Sequence, residues 1–269
     1  MEENIKISVI MGTYNGEKRI SKAIQSIINQ TYTNWELIIC DDGSTDNTYL
    51  YLQKKYRNNP QIKILSLSAN SGLAAALNKC LTNATGTVIA RMDDDDWSHP
   101  NRFEKQIEYM KHHPEYSIIG TSINYFDEKG VYGTCVLDEK EKSKRDIYKG
   151  DVFVHPTVII KKDALLSVGN YTDSPKTLRC EDYELWCKLY DCGYIGINMP
   201  DVLLDYYESR ESISRRKRIY LYKLALRKLY WRRRFEQPFY MDYYAFREIL
   251  ISMIPTSLVS IMRRYKIKK

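Results

Sequence analysis

Ile5, Ile7 and Val9 alternate with Lys6 and Ser8 up to the turn Gly12-Thr13-Tyr14-Asn15-Gly16, the period-two pattern of a strand entering a loop. Ile20, Ala23, Ile24, Ile27 and Ile28 then fall at the spacing of one helical face. The two patterns repeat. Trp35 to Cys40 is a second apolar strand closed by Asp41-Asp42-Gly43-Ser44, and Ser44 or Thr45 is placed to cap a helix with Tyr49, Leu52 and Tyr56 inward. Ile62 to Leu65 is a third strand; Leu73, Ala76, Leu77, Cys80 and Leu81 mark a third helical face; Val88-Ile89-Ala90 is a fourth strand. Such alternation with short connections predicts βαβ units, hence an α/β chain with a Rossmann-like, mostly parallel central sheet and helices on both faces.

Beyond residue 97 the pattern loosens. Pro100 suits the first turn of a helix with Phe103, Ile107 and Met110 inward, and Ser117 to Gly120 reads as a strand. Residues 127 to 151 are polar and rich in both charge signs, which predicts a mobile or variable loop. His155 to Ile160 returns to the sheet. Cys180-Glu181-Asp182 opens a helix with Leu185, Trp186 and Leu189 inward, and two short strands, Tyr194 to Asn198 and Val202 to Asp205, finish the body.

The chemistry concentrates where strands end. Asp93, Asp94, Asp95 and Asp96 follow the fourth strand directly, and four adjacent carboxylates repel unless a counter-ion is near. A solvated acidic turn is the plainer reading. Its place at the carboxyl end of a buried strand favours a metal site, and oxygen ligands suit Mg²⁺ or Mn²⁺. Thr13-Tyr14-Asn15 and Asp41-Asp42 end on the same predicted edge. There Asp42 can accept the N3–H of a pyrimidine and Tyr14 can stack on its ring, although a turn cap and a core aromatic explain them equally well. Glu181 and Asp182 supply a carboxylate for taking a proton from a hydroxyl, or else they only complement a helix dipole.

Composition narrows the setting. The chain has 269 residues, 43% hydrophobic and 28% charged, a globular composition. No apolar run is long enough to span a bilayer and the start leads straight into a strand, so a cytoplasmic body without a signal peptide is expected. Six scattered cysteines with no C-x-x-C pair predict reduced thiols and no zinc site. Charge divides the chain: residues 215–269 hold sixteen Lys/Arg against three Asp/Glu, a balance of +13 within a total of +7, so the remainder carries −6. Within that basic extension Arg216, Lys223, Arg227 and Arg234 share a helical face, with Tyr222, Leu226 and Leu229 beside them. Ile254, Leu258, Met262 and Tyr265 form an apolar stripe ending in Arg263-Arg264 and Lys266-Ile267-Lys268-Lys269, and Pro255 argues against a spanning helix. Short apolar stripes edged by Lys/Arg and aromatics predict contact with a membrane surface. A subunit contact or a plain solvated helix is the alternative, and nucleic acid is not an expected partner.

The segments Ser8 to Asn15, Asp41 to Asp46, Asn70-Ser71-Gly72, Arg91 to Asp96, His155-Pro156-Thr157 and Glu181 to Trp186 closely resemble, in order and spacing, the family 2 glycosyltransferases of the A-type fold. The resemblance covers roughly residues 5 to 214. It implies inverting transfer of a hexose or N-acetylhexosamine from a nucleotide-diphosphate sugar, with a UDP-sugar the best expectation, aided by Mn²⁺ or Mg²⁺. The acceptor is expected to be a saccharide, lipid-linked, in capsule, lipopolysaccharide or cell-wall polysaccharide synthesis at the inner face of the plasma membrane. By position, Thr13 and Tyr14 flank the base, Asp42 reads it, Asp93 and Asp94 lie near ribose and metal, and Asp95 is the main metal ligand. Asp182 is the base with Glu181 in support, and His155 and Trp186 fall on the acceptor or diphosphate side. The implied organisation is a catalytic domain over 1–214, with a nucleotide half to about 97 and an acceptor half from about 98, followed by a basic helical tail over 215–269. The chain departs from the family where Tyr206-Tyr207-Glu208-Ser209 precedes Arg210-Glu211-Ser212-Ile213-Ser214: Ser209 stands where members often carry a His that touches metal or diphosphate, a contact Arg210 could replace. A phosphatase places its acids after the first strand, and a dinucleotide oxidoreductase needs a G-x-G-x-x-G there, so neither fits. A non-catalytic nucleotide- or carbohydrate-binding member of the same fold is the alternative, and Glu181-Asp182 argues against it.

Overall fold

The computed structural model describes residues 5–150, 152–208 and 218–254. Ser209, Arg210, Arg216, Pro255, Leu258, Met262, Tyr265 and the terminal Lys/Arg cluster lie outside the described residues. The first half follows the hydrophobic pattern closely: β1 (Ile7–Thr13), α1 (Ile20–Ile28), β2 (Trp35–Asp41), α2 (Thr48–Tyr56), β3 (Ile62–Ser66), α3 (Leu73–Leu81) and β4 (Val88–Arg91). Strands β3, β2, β1 and β4 lie side by side, all parallel. Alternate strand residues serve opposite faces. Ile7, Val9 and Met11 pack with α1, α2 and a later helix, whereas Ile10, Ile38 and Ile89 pack with α3 and the helices of the second half. Both faces are therefore covered, as a parallel sheet requires.

The second half closes the sheet in mixed fashion. Its elements are β5 (Trp97–Ser98), α4 (Arg102–His112), β6 (Ile118–Asp127), β7 (Gly130–Cys135), α5 (Lys144–Lys149), β8 (Ile159–Lys161), α6 (Lys162–Ser167), α7 (Glu181–Asp191) and β9 (Gly196–Tyr207). The order runs β3-β2-β1-β4-β8-β6-β9-β5, with β8 antiparallel to both β4 and β6, β9 parallel to β6, and β7 pairing β6.

Several expectations change. Residues 127–151 are not a featureless loop: β7 forms a hairpin with β6, Ser143 and Asp146 make a capping box on α5, and Ile147 and Tyr148 are buried. The charged residues hid these few anchors. The two short strands predicted at the end are one strand, whose register with β6 skips Pro200 and Asp201, as expected where a residue lacks an N–H. His155-Pro156-Thr157 is a 3-10 turn before β8. Ser44 and Thr45 do not cap α2, which starts at Thr48, and α4 begins at Arg102, two residues after Pro100.

Two further helices, α8 (Arg218–Arg234) and α9 (Tyr243–Met253), follow. The change of composition near residue 214 is not repeated in packing, because Trp231, Phe235 and Met241 belong to the core that holds Leu185 and Trp186. Basic residues face the body: Arg227 forks onto Glu184, with Nε to Oε2 at 2.8 Å, and Trp231 Nε1 donates to the same carboxylate at 2.8 Å. Lys228 is buried against Glu248 at 3.0 Å, Arg232 meets Asp242, and Arg234 meets Asp191. Apolar residues are exposed along one face of each helix, Ile219, Tyr222, Leu226 and Tyr230 on α8 and Tyr243, Phe246, Leu250 and Met253 on α9, and the last turn of α8 adds exposed Arg233 and Arg234. Among the described residues no helix is long and apolar enough to cross a membrane.

Candidate active site

The carboxyl ends of β1, β2 and β4 meet through a dense set of polar contacts. Asp42 N–H donates to the Thr13 carbonyl at 2.8 Å, and Thr13 Oγ1 donates to Asp94. Asn15 holds positive φ (51°), and its side-chain carbonyl accepts from Thr45 N–H at 2.9 Å, joining the first loop to the second. Gly16 leaves the space this needs, since a Cβ there would lie 2.4 Å from Thr13 Oγ1 and 2.5 Å from Asp94 Oδ2. Tyr14 stands beside them, 39% exposed.

The second loop is equally organised. Asp42 is buried, and its two oxygens accept from Ser71 N–H at 2.7 Å and Gly72 N–H at 2.8 Å. Its carboxylate therefore holds the Asn70-Ser71-Gly72 turn in place. Each oxygen keeps a second lone pair, so accepting from a base remains chemically open. Gly43 (φ +66°) passes so close to Ala69 and Asn70 that a Cβ would come within 2.8 Å of backbone.

The acidic run divides into two classes. Asp94 is clamped by Arg19, which donates Nε to Oδ1 and Nη2 to Oδ2, both at 3.0 Å, while also holding the Tyr14 and Asn15 carbonyls at 3.1 Å. Asp93, Asp95 and Asp96 instead turn oxygens toward one another, with ligand atoms within 4.8 Å. Asp93 pairs with buried Arg91; burial works against the Arg91 charge, but Asp93 outweighs it and holds the guanidinium above its ordinary value. Asp96 accepts Tyr207 N–H at 2.8 Å on Oδ1, while buried Oδ2 has no protein partner. Burial first, then the neighbouring aspartates, push the Asp95 and Asp96 carboxyls above the usual carboxylate range. A crowded, oxygen-only set with an orphaned buried acceptor has the chemistry that a hard divalent cation satisfies.

Glu181 and Asp182 open α7. Asp182 is half-buried and its Oδ1 accepts the Tyr183 N–H at 2.7 Å. Glu181 is buried, its Oε2 lacks a partner, and burial followed by Asp182 raises its carboxyl to about 7. Tyr171 is a buried phenol held above its ordinary value by burial foremost; Arg91 works against this, while the charges of Asp182, Glu181 and Asp93 add to it. Leu178, shortly before α7, also reaches the Gly72 turn that Asp42 holds.

His155 and Trp186 lie inside rather than at an open wall. His155 Nε2 sits 2.8 Å from Tyr171 Oη, and its ring stands edge-on to Trp186, with centroids 5.8 Å apart. Burial, then Arg91, drives the imidazole well below its usual value, so it is neutral. The structure thus gathers Thr13, Tyr14, Asp42 and Asp93 to Asp96 on one edge, and places Glu181 and Asp182 at the start of α7. Arg19, Tyr171 and Asp96 complete the arrangement. Sequence reasoning singled out neither Arg19 nor Tyr171, and it left Asp96 without a role. Only Asp96, inside the acidic run, carried a local signal.

Comparison with known proteins gives the family and the fold. The model of the family Glycosyl transferase family 2 matches residues 8–169. Over 271 residues, 100% of this chain and 96% of the other, the sequence is 36% identical to EpsE of Bacillus subtilis (strain 168), a protein named as a glycosyltransferase. It is 30% identical over 271 residues, 95% of this chain and 94% of the other, to the UDP-Gal:alpha-D-GlcNAc-diphosphoundecaprenol beta-1,3-galactosyltransferase of Escherichia coli. Among solved structures, S. aureus TarS 1-349 in complex with UDP-GlcNAc superposes with a TM-score of 0.70 at 21% identity, covering 91% of this chain and 70% of that one. The match spans 39% of a longer TarS chain. These structures share the fold.

Proposed function

The chain belongs to glycosyl transferase family 2, and from that premise we propose that it moves a hexose or N-acetylhexosamine, with inversion, from a UDP-sugar to a saccharide acceptor carried on a lipid. The observation that carries this reading is the crowded, oxygen-only Asp93/Asp95/Asp96 cluster just beyond β4, with the buried Asp96 Oδ2 left without a protein partner. Thr13 and Tyr14 flank the base and Asp42 accepts from it, while Asp94, fixed by Arg19, holds the loop beneath the ribose. Asp95, Asp93 and Asp96 hold Mn²⁺ or Mg²⁺, which supplies a Lewis acid for the departing diphosphate. Asp182 takes the proton of the acceptor hydroxyl as its oxygen attacks the anomeric carbon and the bond to UDP breaks. Glu181 supports Asp182 electrostatically. Neutral His155 and Trp186 shape the wall behind the acceptor or diphosphate.

A UDP donor is supported by the donor named for the Escherichia coli relative and by the ligand of the TarS complex; a lipid-linked acceptor is supported by the first of these. The setting is surface-polysaccharide synthesis, with the enzyme peripheral on the inner face of the plasma membrane. Calorimetric titration of uridine, guanosine and thymidine diphosphates, with Mn²⁺ and with chelator, tests the assignment on wild type and Asp95→Ala. UDP binding that needs metal and disappears in the variant is expected. Binding without any transfer to saccharide acceptors would favour the non-catalytic alternative.

A further inference from the structure

We propose that the outward apolar face of α8 and α9 docks on an anionic lipid bilayer. An ordinary surface helix buries its apolar stripe and shows charge to water. This pair exposes apolar stripes, and the exposed Arg233 and Arg234 sit together in the last turn of α8. Arg227, Lys228 and Arg232 turn inward to carboxylates, while Leu226 (47% exposed), Phe246 (51%) and Leu250 (60%) face out. The link between the helices adds Phe239 (78% exposed) and Tyr240 (64%). Isolated exposed apolar residues are common, but stripes on two adjoining helices mark an interaction surface. The four exposed tyrosines, with an apolar ring and a polar tip, suit the headgroup level of a bilayer.

Charge selects the occupant. The flanking segment 209–217 carries four Lys/Arg against one Glu, and 255–269 carries five Lys/Arg and no acid. That excess of positive charge in the sequence on either side of the helix pair is complemented by an anionic surface. The face is also fixed relative to the chemistry. Glu184, which receives Arg227 and Trp231, lies one helical turn from Glu181 on α7, so lipid contact sets the height of the proton-accepting end above the bilayer. The inference deepens the lipid-linked acceptor proposed above and rests on it only for that purpose; the lipid contact itself is read without turnover.

Flotation of the full-length protein with phosphatidylglycerol/phosphatidylethanolamine vesicles, and with phosphatidylcholine vesicles, is the test. One variant carries Leu226→Ser, Phe246→Ser and Leu250→Ser; a second carries Arg263→Gln, Arg264→Gln and Lys266→Gln. Wild type is expected to float with anionic vesicles, the apolar variant to partition on the order of a hundredfold more weakly, and the basic variant to lose only its preference for anionic lipid. Thermal melts and UDP titrations of both variants should match wild type, so a failure of the donor assignment registers separately. Equal flotation of the apolar variant and wild type overturns the proposal. So does a wild-type dimer that ignores vesicles and is broken by the apolar substitutions, and so does stronger flotation when residues 255–269 are removed, since that segment would then be the occupant.

Discussion

Two regions of this molecule handle buried charge in opposite ways. At the sheet edge, Asp94 has Arg19 and Asp93 has Arg91, but Asp95 and Asp96 take part in none of the described ion pairs, and their carboxyls are pushed above the ordinary range. In the C-terminal helices the acids meet cations one for one or better. Glu248 is buried too, yet Lys228 and Arg247 outweigh that burial and hold its carboxyl below the ordinary value. A buried carboxylate is left short of counter-charge in one place, at Asp96, and satisfied in the other, at Glu248. Uncompensated charge that folding tolerates marks where a ligand completes the structure; compensated charge marks architecture.

The sharpest way to break the comparison is to remove one carboxylate that serves the site and one that pairs with the C-terminal helices, both of them on α7. Asp182→Asn should lower the rate of sugar transfer by about 10³- to 10⁴-fold while leaving the Kd for UDP unchanged, measured by coupled UDP release and by calorimetry. Equal loss of both would mean that Asp182 holds the nucleotide rather than the proton. In the satisfied region Glu184→Ala strands Arg227, whose side chain is 18% exposed, together with the Trp231 N–H. The expected cost is about 3 kcal/mol of stability, from leaving a buried charge unpaired, read as a lower urea midpoint. A midpoint within error of wild type would show that the C-terminal helices are held by apolar contacts alone.

How legible these regions were in the sequence differs for the same physical reason. Alternating Ile7, Val9, Met11 and the helical spacing of Ile20 to Ile27 are local periodicities, so the parallel half of the sheet could be read directly. The acidic run was legible because its residues are neighbours in sequence. The counter-charges were not. Arg19 meets Asp94 across 75 residues and Arg227 meets Glu184 across 43, and no local window reports either pairing. The helical face shared by Lys223, Arg227 and Arg234 was legible from spacing, but its partners were not: Glu184 pairs Arg227 and Asp191 pairs Arg234. Helix α5 was missed because two buried residues in a charged stretch give no period.

Glu181 lets pH sharpen the contrast. Its carboxyl, raised by burial and Asp182 to about 7 from an ordinary 4.5, binds its proton more tightly in the folded than in the unfolded chain. The stability this supplies is fully present below pH 4.5 and is lost as pH rises through about 7. Above that, the folded protein carries a buried charge with an unpartnered oxygen. Glu181→Gln should therefore leave the melting temperature unchanged at pH 4.5 and stabilise the protein by roughly 2 kcal/mol at pH 8. A pH-independent effect would mean that the carboxyl is not buried in the way described.

The smallest effect is the most discriminating, because it changes sign with the ligand. Without metal, Asp95→Asn removes a negative charge crowded by Asp93 and Asp96, so the variant should melt higher than wild type, by about 1 kcal/mol of stability. With millimolar Mn²⁺, wild type gains stability in proportion to its occupancy and the variant gains less, because the ion has lost a charged ligand. The order of melting temperatures should then reverse. In the C-terminal region no such reversal is available: Glu248→Gln should destabilise with or without metal, since Lys228 already fills the role that a cation plays at the sheet edge. If Asp95→Asn lowers the melting temperature in chelator, the acidic cluster is compensated by the protein alone, and the distinction between the two regions fails.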